Sequence, residues 1–237
     1  MTKTYNRSRK LKPTKSNRSL SEWAIIFLNE NSEYASSSIL NDFRKLGHSQ
    51  RPELEKCAVH VLADQRLRRN EKLRSGAVRL IVALLPKTFP VLEKLLSDSS
   101  MSLWYEVHFT VFSALDRGDL SKADQRHVLT LVERYLRNAK SESGFAAWKA
   151  GDILGDEWYA PETIQILERL LSSARYVVGR NAALHGIQHA MNKATLSEKE
   201  HLLSLVRQAA SEDQSAKVRD YAAYTLTDGG CSRSRTA

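Results

Sequence analysis

Lys217-Val218-Arg219-Asp220-Tyr221-Ala222-Ala223-Tyr224-Thr225-Leu226 is the stretch that decides the fold. Val218, Tyr221, Ala222 and Leu226 fall three and four residues apart, as on one face of a helix. The alanine pair leaves room for another helix to approach closely. A second helical stretch, Leu205 to Ala210, precedes it, and Ser211-Glu212-Asp213 forms the turn between them. Asp228-Gly229-Gly230 then supplies a stop.

The same arrangement recurs toward the N-terminus. Leu167-Glu168-Arg169-Leu170-Leu171 leads through Ser172 and Ser173 to Val177-Val178-Gly179-Arg180-Asn181-Ala182-Ala183-Leu184. Val132-Glu133-Arg134-Tyr135-Leu136 leads to Phe145-Ala146-Ala147-Trp148-Lys149-Ala150-Gly151-Asp152-Ile153-Leu154-Gly155-Asp156. Leu92-Glu93-Lys94-Leu95-Leu96 leads to a segment from Trp104 to Leu115. The register cations Lys94, Arg134, Arg169 and Arg207 stand 40, 35 and 38 residues apart, a period suited to two-helix repeats. Upstream, helices are expected from Ser21, over about 35–46, and over 52–68 with Pro52 in the first turn.

A short acidic turn, Val-Arg, paired alanines and a Leu-Gly-Asp close together resemble a HEAT repeat, best at Lys217–Leu226 and Ala146–Asp156. The resemblance covers residues about 70–230 and is weaker over 20–69. It implies an all-α fold, a right-handed α-solenoid of about five to six two-helix repeats, with the second helices lining a concave groove. One such repeat cannot bury its apolar face alone, so stacking is obligatory. The family hosts scaffolds, transport receptors and a few enzymes, so the fold by itself names no activity.

Composition agrees. Glycine (10) and proline (5) are too scarce for an all-β chain with frequent turns, and 42% hydrophobic residues can supply a sizeable core. No apolar run approaches the roughly 18 residues of a membrane span. With two cysteines, Cys57 and Cys231, a disulfide framework is not expected, and a cytoplasmic location is the simpler expectation. The net charge of +9 is unevenly placed. Residues 1–19 hold seven cations and no acid, and 231–237 add Arg233 and Arg235, so the remaining 27 Lys and Arg match 27 Asp and Glu. The expected organisation is a basic disordered arm (1–19), a helical body (20–230) and a short basic tail (231–237).

Several constellations are candidate sites. Lys94, Arg134, Arg169 and Arg207, with Arg137 and Arg126 beside them, form a cation ladder if the second helices line a groove. Such a ladder suits an acidic peptide or a phosphate backbone. The alternative is that Glu93, Glu133 and Glu168 pair with it between repeats. A second basic cluster runs Arg66, Arg68, Arg69, Lys72, Arg74 and Arg79, and with the arm it makes the N-terminal half the place for nucleic acid. Trp148 and Asp152, at i and i+4, share the spacing of a Trp–Asp pair in the alkylpurine DNA glycosylases, a helical-repeat family. There, the resemblance implies, the Asp stabilises a cationic sugar. Structural packing of Trp148 is the default.

His185 and His189 are also one turn apart, with His201 in the next helix. No His-Glu-x-x-His is present, and ordinary helix histidines are expected, with no metal and no cofactor. None of the seven histidines is followed by Glu, which excludes the di-iron HEAT-type hydroxylases. Cys57 and His60 share a helical face without an orienting group. The expected function is a non-catalytic scaffold that holds a protein partner in its groove. Nucleic-acid binding, including a glycosylase-like role through Asp152, is the alternative.

Overall fold

The computed structural model describes residues 21–33, 36–115 and 120–227. The basic arm, Asp228-Gly229-Gly230 and the basic tail lie outside them. All regular structure among the described residues is helical: α1 (Glu22–Glu30), α2 (Ser36–Lys45), α3 (Gln50–Ala63), α4 (Glu71–Ala83), α5 (Phe89–Ser97), α6 (Trp104–Ala114), α7 (Lys122–Arg137), α8 (Gly144–Asp152), α9 (Pro161–Ser173), α10 (Val177–Ala190), α11 (Leu196–Glu212) and α12 (Ala216–Leu226). No helix among them is long and apolar enough to cross a membrane.

The helices lie in two rows. In the first, α1 packs on α4, α4 on α6, α6 on α8, α8 on α10 and α10 on α12. In the second, α5 packs on α7 and α7 on α9. Between the rows, α3 meets α4, α9 meets α10 and α11 meets α12. The paired alanines explain the close first row. Ala146, Ala147, Ala182, Ala183 and Ala222 are buried, and the larger Leu92, Leu136, Leu167, Leu170 and Val206 fill the space between rows. Ala223 breaks the pattern and is exposed, because no described helix lies beyond α12.

Three arginines knit the first row together. Arg74, Arg180 and Arg219 are each the fourth residue of their helix. Each donates to the carbonyl six residues earlier: Arg68 O at 3.0 Å, Ala174 O at 2.9 Å and Asp213 O at 2.7 Å. The guanidinium thus satisfies a carbonyl of the preceding turn that has no helical partner. Arg74 also pairs with Glu106, and Arg180 with Asp213 at 2.8 Å.

Two boundaries differ from the expected ones. α3 stops at Ala63 rather than 68, because Asp64 turns extended and its carboxylate accepts the backbone N–H groups of Arg66 and Leu67 at 2.7 and 3.0 Å. That local competition starts a separate 3-10 turn, Leu67–Arg69. The helix expected over Ala146–Asp156 widens into a π turn, Ile153–Glu157, after Asp152, and Trp158 N–H donates to Ile153 O at 2.8 Å.

Candidate functional site

The centre of the first row is a glycine-lined seam between α8 and α10. A Cβ built on Gly151 would lie 2.5 Å from Ala182 O, and one on Gly155 would lie 1.9 Å from Gly186 O. Only glycine allows the backbones to meet there. Asp152 follows Gly151 and His185 precedes Gly186, so the contact brings them side by side. The Nε2 of His185 lies 2.8 Å from Asp152 Oδ1. One turn on, His189 Nε2 lies 3.4 Å from the same oxygen. The ligand atoms of all three residues fall within 4.8 Å of one another.

The cluster has walls. The Trp148 ring lies 4.4 Å from the His185 ring and 5.5 Å from the Tyr221 ring of α12, centroid to centroid. Tyr221 Oη is 3.4 Å from His185 Nδ1. On the other side, Lys149 Nζ is 3.5 Å from Asp152 Oδ2 and 3.2 Å from Glu157 Oε1. Burial alone would raise the Asp152 carboxyl. The hydrogen bond and charge of His185, with Lys149 and His189, outweigh it and hold the group below its ordinary value. Burial and the neighbouring His185 depress the His189 imidazole. Tyr221 is pushed up to about 12, first by burial and then by Tyr224 and Asp152.

Trp148 belongs to a set of exposed aromatic side chains on α6, α8 and α12. Phe145 is 88% exposed and Trp148 40%, against the expectation that Trp148 packs inside. Tyr105 and Phe109 of α6 and Tyr224 of α12 are exposed as well. Tyr105, Phe109 and Phe145 line a cleft of about 520 Å³ between α4, α6 and α8. Its rim carries Glu33, Glu71 and Glu106 against Arg74 and Arg79.

The cation ladder is partnered. Arg134 reaches Glu93 at 2.8 Å, Arg169 forks onto Glu133 at 3.0 and 2.8 Å, and Arg137 meets Glu133 at 2.7 Å. Arg126 stands 3.9 Å from Glu162, and His201 3.4 Å from Glu168. Glu133 is held below its ordinary value chiefly by the Arg169 hydrogen bond, then by Arg137, against burial. Pairing between successive helices with Glu93 and Glu133 therefore describes Arg134 and Arg169, whereas Arg137 meets Glu133 one turn away on the same helix. Lys94 and Arg207 are exposed.

The cluster at 66–79 is not one basic patch. Arg68 and Arg74 are buried. Arg68 donates to Leu62 O and to Ser102 O, the latter at 3.0 Å, and Arg74 serves Arg68 O and Glu106. Both are withdrawn from any phosphate by their own carbonyl partners. Arg79 turns inward to Ser32 O at 2.9 Å. Arg66, Arg69 and Lys72 remain on the surface. Cys57 is buried, and burial, then Glu53, pushes its thiol up to about 11, which removes it as a nucleophile beside His60.

Sequence reasoning missed the joining of Asp152 to the two histidines. The signal was present as Gly151-Asp152 on one helix and His185-Gly186 on its neighbour. Comparison with protein-family models, curated proteins and solved structures finds no match for this chain.

Proposed function

We propose that the chain is a HEAT-like helical-repeat scaffold that holds a protein partner on the aromatic face of α6, α8 and α12. The architecture is supported by the recurring fourth-position arginine, which makes the same backbone contact in α4, α10 and α12. One local contact thus recurs at the start of three first-row helices, as related stacked units would make it. The observation that carries the functional reading is the exposed set Tyr105, Phe109, Phe145, Trp148 and Tyr224. Apolar surface gathered on one face of a domain marks a contact site, and aromatic residues serve as anchors there.

The partner chemistry follows from the cleft. Apolar walls with three acids against two cations suit a protein segment bearing an apolar anchor flanked by Lys or Arg. Arg134, Arg137 and Arg169 are tied to glutamates, so they offer little to an acidic partner or a phosphate chain. A glycosylase role for Asp152 calls for a carboxylate turned to its substrate, whereas here Oδ1 faces His185 and His189.

Retention of the full-length protein on duplex DNA over a salt series separates the two classes of partner. The variant with Lys94, Arg134, Arg169 and Arg207 changed to Gln should retain the wild-type salt slope. A slope less steep by about 3 to 4 would place those four cations on phosphates and overturn the reading.

A further inference from the structure

We propose that Asp152, His185 and His189 form a binding site for one divalent first-row transition ion, with zinc the best fit. The proposal stands on geometry independent of the partner reading. Two imidazoles and one carboxylate are a donor set for such ions, and three protein ligands leave a position open to solvent. Around a tetrahedral zinc with bonds of about 2.0–2.1 Å, neighbouring ligand atoms sit roughly 3.4 Å apart. Asp152 Oδ1 lies 2.8 Å from His185 Nε2 and 3.4 Å from His189 Nε2. Seating an ion asks the closer pair to open by a few tenths of an ångström, within the reach of a rotamer adjustment.

Ligand orientation is already set by neighbours. Tyr221 Oη stands beside His185 Nδ1 at 3.4 Å, the contact that directs Nε2 toward an ion. The Trp148 ring packs against the His185 ring, tilted 36° to it at 4.4 Å, and limits its rotation. The seam glycines let the α8 and α10 backbones meet, which brings the carboxylate within range of both imidazoles. Among the described residues, Lys149 is the cation that touches Asp152 and is set against an ion. It lies on the far oxygen of Asp152 and is offset by Glu157 at 3.2 Å. Asp152 and Glu157 against Lys149 leave one negative charge to receive the ion. Side-chain exposures of 24% for Asp152 and 36% for His189 leave a way in from solvent.

The i, i+4 histidines alone are a weak pattern in the sequence. What makes them a site is the third donor brought from a different helix, and the π turn that begins just after that donor. Wider turns of this kind recur at functional positions in helices.

The test uses full-length protein without an affinity tag, stripped with chelator and titrated with Zn²⁺ by calorimetry and with Co²⁺ by visible absorption. The expected result is one ion per chain at micromolar or lower concentration, with cobalt d–d bands of four- or five-fold coordination. His189→Gln, at a side chain 36% exposed, should weaken Zn²⁺ binding more than tenfold while far-UV circular dichroism stays unchanged. Asp152→Asn should do the same, and His201→Gln should bind as wild type. Millimolar binding only, binding that survives both His189→Gln and Asp152→Asn, or binding lost in His201→Gln would each overturn the site.

Discussion

The α8–α10 seam and the α7–α9 face lie in the two neighbouring rows of helices, yet they treat charge in opposite ways. At the seam, backbone contact through Gly151, Gly155 and Gly186 encloses Asp152, His185 and His189, and few groups are available to satisfy them. On the α7–α9 face, the long side chains of Arg134, Arg137 and Arg169 meet Glu93 and Glu133 at the surface, where water can replace either partner. Regular charge spacing therefore accompanies surface pairing between α5, α7 and α9, while titratable groups gather where small residues let helices touch. The exposed pairs are worth little individually. The enclosed groups are held to one arrangement because their alternatives are poor.

The sharpest contrast is between two arginines. Arg180 and Asp213 have side chains only 6% and 9% exposed, so Arg180→Ala leaves Asp213 without its partner and should cost about 3–5 kcal/mol in urea unfolding. Arg169→Ala removes a side chain 51% exposed and should cost less than about 1 kcal/mol. Equal losses would erase the distinction between buried tether and surface ladder.

Next in size is the seam itself. Gly155→Val puts a side chain against Gly186 O, where a Cβ would stand 1.9 Å away, and forces α10 away from the π turn. A loss of about 3 kcal/mol or more is expected, read as a lowered Tm. A wild-type Tm would mean that the two backbones are not in contact.

A smaller effect concerns acid. Glu133 has a folded-state pKa below its ordinary 4.5, so its contribution to stability is present above that value and fades as pH falls through the lower, folded one. Urea midpoints taken from about pH 6 down to pH 3 should therefore fall less steeply for Glu133→Gln than for wild type. An identical acid limb would show that the Arg169 and Arg137 contacts do not hold the carboxylate.

The all-helical class was legible because helical spacing and scarce glycine and proline are local properties, printed directly in the chain. The helix pairs around Lys94, Arg134, Arg169 and Arg207 were legible for the same reason. The role of Arg219 was not, because the Val218-Arg219 pattern says nothing about which carbonyl the guanidinium reaches. Nor was the exposure of Trp148, since burial on a helix depends on which neighbour covers it. The Asp152 cluster was half legible. Its members stood out one by one, but their meeting depends on the register of α8 against α10, and glycines 151, 155 and 186 set that register through contacts between residues more than thirty positions apart.

The most direct test places a photocrosslinking amino acid at position 145 in one protein and at position 169 in another, both expressed at native level. Phe145 is 88% exposed on the aromatic face, and Arg169 lies on the ladder face. The account predicts a discrete, protease-sensitive and nuclease-resistant adduct from position 145, diminished by Tyr105→Ser, and none from position 169. An adduct from position 169 alone, or nuclease-sensitive adducts from either, would contradict it.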